Sequence, residues 1–274
     1  MQILLDYPVT PSPRWGHGKP PHPGLYEIIN RGRERYRQRL QDIVELSTWL
    51  AAIPVEIDDQ RPEQPAWHNP FFSGLDLAAL YAFIGRTRPR RYVEIGSGWT
   101  TKIARRAATD HHVALDITSI DPNPRAEIDR LCDRIVRAPV ETGDKSLFAE
   151  LGEGDILLID NSHRVFTNSD CVVMFLEVLP ALAPGVFVHV HDIFLPYDYP
   201  PEWNDRYYSE QYLLAAFVLA QGPHLQIELP NMFVSLDREL SEAVAPLWSG
   251  SLSGVQRHGG SWWMRIGPST DRGR

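Results

Sequence analysis

The run RYVEIGSGWTT over residues 91–101 constrains this chain more than any other stretch. Tyr92, Val93, Glu94 and Ile95 have the β-branched and aromatic character of a buried strand, and Gly96-Ser97-Gly98 ends it abruptly. Two glycines around one serine permit backbone angles closed to other residues and leave no side chain between the main chain and a bound molecule. Thr100 and Thr101 then open a helix over residues 102–108, whose N-terminal amides are expected to face the same space. A strand-to-helix turn with no ligand could use the same glycines, so the acidic residue carries the distinction. Glu94 sits at the strand's carboxyl end, a poor partner for phosphate and a good one for an amino group. A dinucleotide fingerprint would also want a third glycine where Thr101 stands.

With its acidic residue followed by GxG, the stretch resembles the first motif of class I S-adenosylmethionine (SAM)-dependent methyltransferases. That resemblance implies that the loop, with Glu94, Gly96, Ser97, Gly98 and Thr100, cradles the methionine part of SAM. Composition agrees with one catalytic domain: 274 residues at 43% hydrophobic content suffice for a single sizeable core. A formal charge of −8 argues against non-specific nucleic-acid or anionic-lipid partners and for a small-molecule substrate. No apolar run approaches a membrane span, so a soluble, cytoplasmic protein is expected, and a homo-oligomer is compatible with the sequence. Cys132 and Cys171 form no disulfide or zinc pattern.

Along the chain, residues 1–24 are proline-rich and are expected to lie extended. Residues 25–72 form a helical extension and linker: one amphipathic helix over residues 25–52 with arginines on its solvated face, then an aromatic linker (Trp67, Phe71, Phe72) that packs on the core or roofs a pocket. Residues 73–267 are expected to form the catalytic domain and 268–274 a tail. A helix at 76–85 precedes the first strand. Strands are then predicted at 117–120, 133–138, 155–159 and 186–190, separated by helices at 125–132, 145–151 and 169–182. Beyond an aromatic and proline-rich segment at 194–203, expected to cover a substrate pocket, come a helix at 207–220, strand pieces at 225–229 and 232–236, a helix at 240–248 and a last strand at 261–266.

Alternating strands and helices imply an α/β, Rossmann-like doubly wound sheet of about seven strands, mostly parallel, in which ligands sit outside the carboxyl ends of the strands. The antiparallel sense of the last strand is implied by the resemblance. Glu94, Asp121, Asp160, His163, His191 and Asp192 all fall on that one edge. Asp121, roughly one strand-helix unit after Glu94, is placed to accept ribose hydroxyls, Val140 lies within reach of an adenine ring, and Asp160, with the turn to His163, is expected to form the cofactor site's floor beneath the reacting methyl.

Over residues 76–266 the chain is similar in particular to the branch with macrolide and aminocoumarin sugar O-methyltransferases and cephalosporin hydroxylase-like proteins. That branch implies a divalent metal (Mg, Mn or Fe) held by Asp160 and the pair His191-Asp192, with the histidine in place of a carboxylate. Imidazole suits manganese or iron better than magnesium. Without a metal, His163 or His191 is the candidate base for a hydroxyl acceptor, a small hydroxylated metabolite or sugar. A metal-dependent oxygenase on the same scaffold, and a non-catalytic SAM-binding or assembly protein working through the arginine-bearing helix, are the alternatives.

Overall fold

The computed structural model describes residues 9–72, 74–220 and 225–268. Three helices come first, α1 (Pro23–Asn30), α2 (Arg33–Glu45) and α3 (Ser47–Ala51), where the sequence predicts one. The break falls at Gly32, where any side chain would overlap the Tyr36 hydroxyl, itself buried and donating to the Ile29 carbonyl at 2.8 Å. Helix α4 (Gly74–Thr87) leads into β1 (Arg91–Ile95) and α5 (Trp99–Asp110).

Strands β2 (Asp116–Ile120), β3 (Arg134–Val136), β4 (Ile156–Ile159) and β5 (Phe187–Val190) follow as predicted. The expected helix at 125–132 is only a 3₁₀ turn over Asp129–Leu131. Among residues 125–132 just Ile128 is buried, so no apolar stripe exists to hold a helix on the core. The helix at 145–151 is likewise a 3₁₀ turn, Ser146–Glu150. That at 169–182 divides into α6 (Asp170–Val173), a π turn (Met174–Val178) and a 3₁₀ turn (Leu179–Ala181), because Pro180 has no N–H to continue the ladder.

Helix α7 (Glu210–Leu219) precedes β6 (Leu225–Pro230), and α8 (Asn231–Leu236) stands where a second strand piece is predicted. Met232, Phe233 and Val234 are buried either way, and a short apolar run of this kind carries no periodicity that separates strand from helix. Helix α9 (Arg238–Ala243) is shorter than expected, followed by a 3₁₀ turn at Ala245–Leu247, and β7 (Trp262–Ile266) closes the sheet. The tail beyond Pro268 lies outside the described residues.

The strand order is β3-β2-β1-β4-β5-β7-β6, with the first five strands parallel and β7 antiparallel to both its neighbours. Ile95 pairs with both Ile120 and Ile159, and Ile159 with Val190. Gly96, Asp121, Asp160 and His191 are the residues that next leave the sheet, all on one edge. β1 lies between β2 and β4, so the direction of winding reverses there and a crevice opens outside these strand ends.

The arginine-bearing helix is not a free surface. Arg33 is bidentate to Asp237 at 2.7 and 2.8 Å and also reaches Glu239. Arg35 donates to the Ile227 carbonyl at 2.7 Å, and Arg39 meets Glu228 at 2.8 Å while lying over the rings of Phe83 and Phe187. Helix α2 is thereby clamped to β6 and α9. The Glu228 side chain is 2% exposed, so its partner cannot be removed cheaply. Arg39→Met is expected to lower the unfolding free energy by about 2–3 kcal/mol, measured by urea denaturation. Arg31→Met, which breaks only an exposed pair with Glu27, should leave the midpoint where it is.

Candidate active site

Two cavities open along the carboxyl edge. The smaller, 390 Å³, is lined by Gly96, Ser97, Gly98, Thr100, Asp121, Val140 and Asp160, seven of the residues expected to bind the cofactor. Gly96 has φ +79°, and a Cβ there would overlap the carbonyl oxygen of Asp160, so the tips of β1 and β4 meet only because this residue is glycine. Gly98 is different: nothing lies within 4 Å of where its Cβ would be, and its bareness leaves cavity wall.

Glu94 is the residue the structure moves out of the site. It is fully buried and its carboxylate is occupied from inside, accepting from Tyr92 Oη and Thr100 Oγ1, both at 2.9 Å, and from Thr101 Oγ1. It holds the loop against α5 and is not among the residues that line the cavity. The loop amides are also spent within the protein: Gly96 N donates to the Ile120 carbonyl at 3.1 Å, Ser97 N to Asp121 Oδ2 at 2.8 Å and Gly98 N to Thr101 Oγ1 at 3.2 Å. Asp121 accepts a second main-chain bond, from Asn123 at 2.7 Å, and so ties the β1 and β2 loops together while bordering the cavity.

Burial raises the Glu94 carboxyl from 4.5 to about 7 against the pull of the Thr101, Thr100 and Tyr92 hydroxyls. A raised carboxyl pKa means that the folded state binds more protons between those two values, so stability falls as pH rises through that window. Relative to Glu94→Gln, the wild type should lose about 3 kcal/mol of unfolding free energy between pH 4.5 and 7, read from urea titrations at each pH.

The larger cavity, 730 Å³, shares Asp160, Phe71 and Arg125 with the smaller and is lined further by His163, His191, Asp192, Phe194, Trp203 and Tyr208. The aromatic linker therefore does both things expected of it: Trp67 and Phe72 are core residues, and Phe71 stands 47% exposed between the cavities with Arg125 stacked on it.

His163 is the most constrained side chain here. Its Nδ1 lies 2.9 Å from Glu210 Oε2, and its Nε2 lies 3.3 Å from Asp160 Oδ1 and 3.5 Å from Asp192 Oδ2. Glu210 is fully buried at the start of α7 and also accepts from Asn161 Nδ2 at 3.0 Å. The sequence reading treats residues 207–220 only as an apolar helix; an acidic residue inside that run was the available signal. Both His163 (φ +58°) and Asp192 (φ +54°) adopt left-handed backbone, a modest strain that histidine and aspartate tolerate better than most residues.

Burial works against a charged imidazole at His163, but its bonds to Asp160 and Glu210 outweigh burial and hold it well above 6.5. Burial likewise opposes charge on Asp160, which His191 and His163 nevertheless hold below its usual range. His191 packs on Phe72 at 5.0 Å between ring centroids, and its Nε2 lies 3.6 Å from Asp192 Oδ1.

The candidate metal ligands Asp160, His191 and Asp192 do not form a cage. Among the described residues no group of three or more His, Cys, Asp or Glu side chains is set to hold a metal ion. The physical reason is local: the Asp160 and Asp192 carboxylates already face the Nε2 of His163.

Residues 93–193 match the family described as a methyltransferase domain. An uncharacterized protein of Archaeoglobus fulgidus is 30% identical over 164 residues, 52% of this chain and 74% of that protein. Among solved structures, an S-adenosylhomocysteine-bound methyltransferase of Podospora anserina is similar at 12% identity, TM-score 0.43, over 88% of this chain and 96% of that one. An O-methyltransferase from Bacillus cereus, in complex with the same compound, is similar at 13% identity, TM-score 0.38, over 84% and 91%. No helix among the described residues is long and apolar enough to cross a membrane.

Proposed function

We propose that the chain, whose residues 93–193 match a methyltransferase domain, is a SAM-dependent methyltransferase that acts on a hydroxyl group of a small molecule held in the larger cavity. One observation carries this reading: the two cavities adjoin, with Asp160, Phe71 and Arg125 in both walls, so a donor in one and an acceptor in the other would be neighbours. The donor cavity suits SAM in kind, since 390 Å³ falls in the usual range for ligand sites and the bare flank of Gly98 leaves room for a close-lying molecule. Gly96, Ser97, Gly98 and Thr100 would flank its methionine portion, Asp121 its ribose and Val140 its adenine. Glu94 supports that loop from behind.

Bound SAM supplies an electrophilic methyl group and leaves as S-adenosylhomocysteine. The chain's task is to align the acceptor and remove its proton. His163, which lines the larger cavity, does the latter at Nε2, the nitrogen beside Asp160 and Asp192, while Glu210 fixes the ring through Nδ1. A protonated imidazole cannot serve, so His163 must act in its neutral form, and its neighbours set the pH at which that form appears. Asp160 and Asp192 orient the acceptor hydroxyl, and the Trp203, Phe194 and Tyr208 rings offer apolar wall to the rest of the molecule.

Calorimetry with S-adenosylhomocysteine tests the donor site, and absence of both heat and a thermal shift would end the cofactor assignment. Given an acceptor found by labelled-methyl transfer, log kcat/KM is expected to rise with pH to a midpoint above 6.5. His163→Ala should remove that limb and lower kcat by about 10²–10⁴-fold with S-adenosylhomocysteine binding retained. Glu210→Gln should shift the midpoint downward, because it removes a carboxylate that favours the protonated ring.

A further inference from the structure

The segment ahead of α1 was expected to lie extended with no readable role, yet residues 9–22 bind one place on the molecule, and Asp198 is the centre of it. Asp198 lies in the loop between β5 and α7 and is only 6% exposed. Its Oδ2 accepts from Arg14 N at 2.6 Å and Trp15 N at 2.9 Å, and its Oδ1 from Tyr212 Oη at 3.0 Å. The Asp198 main chain completes the join: its N–H donates to the Trp15 carbonyl at 3.1 Å, and its carbonyl lies 3.0 Å from His17 Nε2. Flanking contacts run the same way, Asn204 Nδ2 donating to the Pro11 carbonyl at 2.9 Å and His22 N to the Pro196 carbonyl at 3.0 Å. Gly16, at φ +75°, lets the strap pass so near Tyr197 that a Cβ would approach that side chain to 2.8 Å.

One carboxylate therefore joins three pieces of chain that sequence separates widely. The loop it anchors supplies Phe194, Pro200 and Trp203 to the wall of the larger cavity. Tyr212, its third partner, lies on α7, the helix whose Glu210 fixes His163. Loops that shape a cavity ordinarily sample many conformations unless something outside the cavity fixes them. Three hydrogen bonds to a nearly buried carboxylate supply that restraint here, with charge-assisted bonds stronger than neutral ones.

We propose that Asp198 is a positioning residue for the acceptor cavity, holding the 194–204 loop in place by binding it to the amino-terminal strap and to α7. The proposal rests on the assignment of the larger cavity to the acceptor, but its mechanical content stands apart from that assignment. The test uses the full chain. In Asp198→Ala, amide hydrogen exchange over residues 194–204 should quicken at least about tenfold, while β1 and α5 exchange as in wild type and the Kd for S-adenosylhomocysteine stays within about twofold. Asp198→Asn should exchange nearly as wild type, since its amide oxygen still accepts from Arg14 and Trp15 and its NH₂ can donate to Tyr212. Tyr212→Phe, which removes a single bond and no volume, should fall between the two. For an acceptor that is turned over, Asp198→Ala should raise KM about tenfold with kcat nearly constant, because the hydrogen bonds of Asp198 go to the strap and to Tyr212 and none to His163. Unchanged exchange at 194–204, or equal loosening of β1 and α5, would overturn the restraint. A loosened loop with unchanged acceptor KM would overturn its tie to the acceptor. Failure of wild type to bind S-adenosylhomocysteine would instead strike the methyltransferase reading and leave the exchange result standing.

Discussion

Gly96 lies against the carbonyl of Asp160, and this close approach of two strand tips governs the arrangement of the whole site. β1 and β4 are adjacent in the sheet, so their loops would ordinarily diverge to accommodate side chains. Because residue 96 has none, the β1 loop folds flat over β4, and Asp160 emerges between the two cavities. The buried Glu94 carboxylate then draws the two threonines of α5 inward, which fixes where the helix starts. A larger residue at 96 would separate the tips and with them the donor and acceptor spaces.

Much of this was legible in the sequence because parallel strands announce themselves. Runs such as ILLI over β4, and FVHV over β5 but for its buried His189, are apolar on both faces, and the polar residues that follow them project from the carboxyl edge. The placement of Asp121, Asp160, His163, His191 and Asp192 on one rim follows from that topology alone. What the sequence hid depends on contacts between distant segments. Glu94 looked like a ligand because its position was right, but two of the three hydroxyls that satisfy it come from the first turn of the next helix. Glu210 looked like part of an apolar helix because its partner His163 stands 47 residues earlier. The helix expected at 125–132 failed for a simpler reason, having polar residues without a stripe to bury.

Charge is treated differently in the two halves of the molecule. Around α2, Arg33 and Arg37 meet Asp237 and Glu239 near the surface, where such pairs chiefly orient elements, and only the Glu228 carboxylate met by Arg39 is buried. Along the carboxyl edge the opposite holds: His163 is buried among Asp160, Asp192 and Glu210, where the same charges act strongly because water is excluded. A hydroxyl brought into that setting meets an orienting carboxylate and an imidazole whose protonation its neighbours control.

The clamp between α2 and the β6–α9 segment also has a consequence for the order in which the chain acquires its shape. Arg33 and Arg39 find their partners about two hundred residues later, the separations being 204 and 189 positions. The contacts of α2 with α4, including Arg86 with Asp42 and Glu45, are local to the first third of the chain, but its clamp to β6 and α9 needs the carboxyl-terminal third. Helix α2 therefore completes its packing late, and until then Arg33 and Arg39 wait for the distant carboxylates of Asp237 and Glu228.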